Sequence, residues 1–156
     1  MHTLVRGLIA GAAGTSALNV VTYLDMAIRA RPASSTPQQA VEKMAGLADV
    51  DLGEGERAGN RKEALGSLLG YATGAGAALC YGLAAARWRP SWPVGVLALT
   101  ALAMVGSNAP LTMLGTTDPR SWSATDWISD VMPHLAYGVT AYAAYRLSTG
   151  DHYGGR

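Results

Sequence analysis

The sequence contains a single cysteine, Cys80, and it sits in an apolar stretch. An intrachain disulfide and a zinc site built on cysteine are thereby excluded. Charge is scarce too: aspartate, glutamate, lysine and arginine make up 15% of the 156 residues, against about 25% in ordinary soluble domains. What charge there is crowds into Arg29 to Glu63 and a few short turns. With a formal net charge of +1 and no run rich in lysine or arginine, the chain lacks the basic footprint of a nucleic-acid binder. Catalytic motifs are missing as well. There is no Gly-x-Ser-x-Gly, no His-Glu-x-x-His and no phosphate loop, so no reaction is named, and neither a cofactor nor a bound metal is expected.

What is present is hydrophobicity in long blocks. Uncharged runs cover Gly7 to Leu24, Ala64 to Ala86, Pro90 to Thr117 and Val131 to Tyr145, and about 20 residues cross the hydrocarbon as a helix. The first run reaches that length if Arg6 snorkels and Asp25 lies near the other interface. A cleaved signal peptide is the alternative for this segment, but Asn19, Tyr23 and Asp25 stand where small cleavage-site residues belong. The fourth becomes a span when extended from Trp127 to Leu147, which places Asp130 inside one end. All four tryptophans fall at the borders of these runs, Trp88 and Trp92 at one turn, Trp122 and Trp127 before the last helix, as in an interfacial aromatic belt. Pro90, Pro93, Pro110 and Gly115 mark helix ends.

The expectation is an all-α chain forming one membrane domain, residues 1–156, a four-transmembrane-helix bundle with spans at 4–26, 64–87, 92–113 and 124–147. It would be a multi-pass protein of the cell membrane, its first partner the lipid bilayer. The loop 29–63 carries Thr36-Pro37-Gln38-Gln39, a capping-box pattern with proline at the first helical position, so a short surface helix is expected over 37–48 with Val41, Met44, Leu47 and Ala48 on one face. Asp49 to Gly59 reads as a polar loop. Orientation is undecided: Arg29, Arg31, Lys43, Arg57, Arg61, Lys62 and Arg120 on one side nearly balance Arg6, Arg87, Arg89, Arg146 and Arg156 on the other.

Small residues recur every four positions along the second span, at Gly66, Gly70, Gly74, Ala78, Gly82 and Ala86. Such a strip lets another backbone lie against it, the main source of packing energy between helices in lipid, with Gly7, Gly11 and Gly14 of the first span as a matching surface. Packing within the subunit is favoured over packing between subunits.

Threading the spans brings one polar half of the bundle together. Asn19, Thr22 and Asp25 come from the first span, Tyr71 and Thr73 from the second, Ser107, Asn108 and Thr112 from the third, and Asp126, Asp130 and His134 from the fourth. Polar groups in lipid cost free energy unless paired, so these residues are expected to turn inward around a one-sided polar cavity. Asp126 also fits a capping box, Ser123-Ala124-Thr125-Asp126, and reads first as a helix-start residue. Asp130 lies about 5 Å below the Trp127 level and His134 about 10 Å below it at the helical rise. Pro133 has no amide hydrogen and leaves the Ser129 carbonyl without its helical donor, beside both. Asp126 and His134 are about 12 Å apart along the axis, too far to share an ion.

The segment Leu114-Gly115-Thr116-Thr117-Asp118-Pro119, followed by Trp122, Trp127, Asp130 and Pro133-His134-Leu135-Ala136-Tyr137-Gly138, resembles uncharacterised small four-helix membrane proteins of high-GC Gram-positive bacteria. The opening Gly11-Ala12-Ala13-Gly14-Thr15 through Asn19 and Tyr23-Leu24-Asp25-Met26 looks similar too. A fainter resemblance reaches another uncharacterised bacterial inner-membrane family, with Pro133 where that family has glycine before histidine. The resemblance implies location and brings no activity. Three functions compete. The first is a non-enzymatic membrane protein whose polar pocket binds a small molecule, a lipid or a partner subunit, in a monomer or a homo-oligomer. The second is a proton-coupled carrier using His134 and Asp130. The third is a membrane enzyme using the same pair as acid and base. Asn108, Asp25 and Asn19 are the expected supporting residues.

Overall fold

The computed structural model describes residues 3–88 and 90–149. Arg89 and Arg156, counted in the charge balance above, lie outside the described residues. The described chain is all helical. Five α-helices follow in order: α1 Thr3–Arg29, α2 Thr36–Leu47, α3 Gly55–Ala85, α4 Trp92–Met113 and α5 Ala124–Thr149, with one turn of 3-10 helix at Pro119–Ser121.

Three helices, α1, α3 and α4, are long and apolar enough to cross a membrane. The fourth long helix, α5, has 26 residues but also carries Asp126, Asp130, His134 and Arg146, which lower its apolarity. Helix α3 begins at Gly55, earlier than its hydrophobic run. The expected loop from Asp49 to Gly59 is therefore too long: its second half is a polar first turn and a half of α3. Hydropathy misses such turns because their residues are polar, and this one is tied down by Arg61 donating to the Leu52 carbonyl at 2.9 Å and by Lys62 pairing with Glu42 at 3.4 Å.

The long helices form a ring in which α1 touches α3 and α5, and α4 touches the same two. Its centre is filled by residues that a water-soluble bundle would not choose. Ala10, Ala77, Ala78, Leu99, Tyr137 and Ala141 are buried, whereas Leu8, Val20, Leu68, Leu97 and Val105 point outward. Small residues let the backbones close. A Cβ on Gly11 would stand 2.6 Å from the Ala75 Cα, and one on Gly7 would stand 2.7 Å from the Leu79 side chain, so α1 lies directly on α3.

Tyrosines tie the diagonal. Tyr137 donates to the Gly74 carbonyl at 2.6 Å and Tyr145 to the Gly82 carbonyl at 3.3 Å, an eight-residue step on both helices. A helical carbonyl has a second lone pair, and glycine exposes it by carrying no side chain. Tyr81 packs edge-on against Tyr142 and Tyr145, with ring centroids 6.3 and 5.4 Å away.

The glycine strip of α3 is thus divided between neighbours. Gly74 meets Thr15 and Tyr137, Gly82 meets Tyr145 and Thr3, and Gly66 meets Pro37 of α2. Gly70 is a correction. Nothing lies within 4 Å of a Cβ built there, because it borders a cavity and not a helix.

Helix α2 rests on α3. Its N-cap is Ser35, one residue before the expected Thr36, and the Ser35 hydroxyl accepts from the Gln39 side chain at 2.9 Å in place of a backbone amide. The inward face is Pro37, Ala40, Val41 and Met44. Leu47 is 82% exposed, so the expected apolar face is rotated by part of a turn.

Candidate functional site

Between α1, α3, α4 and α5, under α2, lies a cavity of about 600 Å³. Its floor is Thr15, Gly74 and Tyr137; its walls are largely apolar, with Leu18, Leu69, Ala103 and Leu111 among them; α2 contributes Pro37, Ala40 and Met44 at the mouth, opposite Thr117 and Trp122. Volumes of about 300–1,000 Å³, mostly apolar with a few convergent polar groups, are typical of small-molecule sites.

One polar strip runs down the α4 and α5 side. Proline sets it up on both helices. Pro133 and Pro110 lie inside α5 and α4 and have no amide hydrogen, so the carbonyls of Ser129 and Gly106 have no helical donor. Both residues line the cavity. Between them sit Asp130 and His134. His134 Nδ1 is 2.7 Å from the Asp130 main-chain carbonyl and 3.5 Å from its carboxylate, and Nε2 is 3.2 Å from the Ser107 hydroxyl. Asn108 Nδ2 donates to the other Asp130 oxygen at 2.9 Å.

A carbonyl only accepts, so the contact of Nδ1 with the Asp130 carbonyl places the ring hydrogen on Nδ1, and the Ser107 hydroxyl, which also lies 3.0 and 3.1 Å from the Ala103 and Met104 carbonyls, faces Nε2.

The polar residues expected to converge do so only in part. His134, Asp130, Asn108, Asn19, Ser107, Thr22 and Thr73 all line the cavity. Asp25 does not: the chain reverses at Ala30, whose φ of +49° is left-handed, and Arg31 returns to bind Asp25 at 2.6 Å. Arg29 joins them at 3.3 Å and also donates to the Ser129 hydroxyl at 2.7 Å, which makes this cluster a rim strap between α1 and α5. Asp126 is likewise outside, its carboxylate accepting from the Ser123 amide at 2.9 Å and hydroxyl at 2.6 Å as the helix-start capping pair. Tyr71 is 42% exposed on the outer face of α3, and the Thr112 hydroxyl is turned back onto the Asn108 carbonyl at 2.7 Å.

Three contributors were not read from the sequence. Thr15 is 4% exposed, and its hydroxyl has no protein partner among the described residues. Trp122 turns from the belt position inward, donating to Thr117 at 3.0 Å and stacking edge-on with Trp127 at 5.0 Å. Lys43 of α2 reaches the α4 terminus, donating to the Leu114 and Gly115 carbonyls at 2.7 and 3.2 Å, where last-turn carbonyls and the helix dipole favour a cation. The equal eight-residue steps of glycine on α3 and tyrosine on α5 were a usable signal for the floor; for Lys43 there was none. Among the described residues no three histidine, cysteine, aspartate or glutamate side chains converge as metal ligands.

No family model, curated protein or solved structure matches the chain.

Proposed function

We propose that the protein is a four-span membrane protein whose bundle holds a small ligand with an apolar body in the cavity beneath α2. The observation that carries this is the cavity itself: about 600 Å³ of mostly apolar space with Asp130, His134, Asn108 and Ser107 on one wall. Residues that merely glue helices would close on one another and leave no such volume, because interiors pack with few voids larger than a water molecule. Membrane placement is supported by the inverted distribution of side chains, with leucine, valine and isoleucine outside and alanine, glycine and tyrosine inside. On this reading α5 is the fourth span. Its polar residues turn toward the cavity or the interface, and lipid meets the opposite face, where Ile128, Met132 and Val139 are exposed.

The experiment is cavity filling. Gly70→Trp places a large ring in the open space at that position. The wild-type protein, extracted in mild detergent, should carry a small molecule or lipid in native mass spectrometry. Gly70→Trp should fold and lose it. An identical adduct on both proteins would place the ligand elsewhere and refute the reading.

A further inference from the structure

The polar atoms left for a ligand are unequal in kind. Among the described residues Asp130 is the only carboxylate on the cavity wall, and no lysine or arginine joins it there. The Ser129 and Gly106 carbonyls, freed by Pro133 and Pro110, add two acceptors of partial negative charge. Tyr137 and Trp122 present aromatic rings to the same space. Asn19 makes no side-chain hydrogen bond within the described chain, and the buried Thr15 hydroxyl has no partner. Such a wall favours a head group that donates hydrogen bonds and bears positive charge, and the apolar remainder favours a hydrocarbon body.

We propose that the cavity selects protonated amines with an apolar body. This rests on the cavity being a ligand site. Among the described residues Asp130 is the one acidic side chain on the cavity wall, and an ammonium head group complements it. On binding, the ammonium N–H groups donate to the Asp130 carboxylate and the Ser129 carbonyl. The other ionisable groups nearby are the rim strap of Asp25, Arg29 and Arg31 from α1, whose Arg29 reaches Ser129, and Tyr137 from the floor. The residues that α2, α3 and α4 turn to the cavity are uncharged.

The test uses the full-length protein in detergent and three probes of equal chain length: decylammonium, decanol and decanoate. Affinities are measured by isothermal titration at pH 7, where decylammonium is charged. Decylammonium should bind about tenfold or more tightly than decanol, and decanoate more weakly than both. Asp130→Asn should abolish the ammonium preference and keep decanol binding. Equal affinity of the three probes would overturn the amine assignment and leave the cavity reading standing. Absence of binding by all three, with Gly70→Trp indistinguishable from wild type, would overturn both. The order of the three probes on the wild-type protein decides the assignment even if a variant fails to fold.

Discussion

Two glycines four residues apart on α3 should respond in opposite ways to one added methyl group. At Gly74 a Cβ would collide with the Thr15 hydroxyl and lie 3.2 Å from the Tyr137 ring, so α1 or α5 must move. Overpacking of this kind costs about 1–3 kcal/mol, and disturbing the bond from Tyr137 to the Gly74 carbonyl removes about 1 kcal/mol more. Alanine's better helix propensity returns about 1 kcal/mol. The net expectation for Gly74→Ala is a loss of about 1–3 kcal/mol. At Gly70 the methyl meets nothing, and only the propensity gain of up to about 1 kcal/mol applies. Reversible denaturation of both variants in mixed micelles, followed by circular dichroism, reads the difference directly. Gly74→Ala at least as stable as Gly70→Ala would refute the helix placement on which the cavity floor depends.

Three further outcomes follow from the same contacts. Tyr137→Phe keeps the ring and removes the bond to Gly74, so it should cost about 1–2 kcal/mol in the same denaturation, and no measurable loss would show the hydroxyl to be unpaired. Lys43→Met should loosen α2 from the α4 terminus, seen as faster amide exchange over 36–47 with the other helices unchanged; unaltered exchange would mean that the contacts with α3, among them Pro37–Gly66 and Glu42–Lys62, hold α2 without it. In a Cys80→Ser background, cysteines at Ala33 and Arg120 should react with an impermeant maleimide from one side of the membrane and a cysteine at Trp88 from the other, and labelling of all three from one side would contradict the four-span topology.

How far the chain could be read without coordinates depended on which physical signal each element carries. The limits of α4 and the start of α5 were legible because prolines, tryptophans and the Ser123–Asp126 box stand at their ends. The start of α3 was not, since a helix continuing into water loses the hydropathy that marks a span. For the site, periodicity and threading were enough to bring Asn19, Asn108, Asp130 and His134 to one half of the bundle, for they depend only on helix direction and spacing. Asp25 escaped that logic because a left-handed residue five positions later folds Arg31 back onto it. Gly70 was indistinguishable from Gly66 and Gly74 by spacing; the difference lies in what other helices place opposite, which no single-helix pattern encodes. Thr15 carried no sequence signal, and what sets it apart is a buried hydroxyl with no partner among the described residues.

The central claim is that the polar strip of α4 and α5 faces an occupied cavity rather than a closed helix interface. An experimental density map of the protein purified in mild detergent tests it most directly. The account requires non-protein density bounded by Leu18, Met44 and Leu111, with its polar end against Asp130 and the Ser129 carbonyl. Asp130 and His134 turned toward the surrounding detergent, or side chains from α1 and α3 packed onto them with no remaining volume, would contradict it.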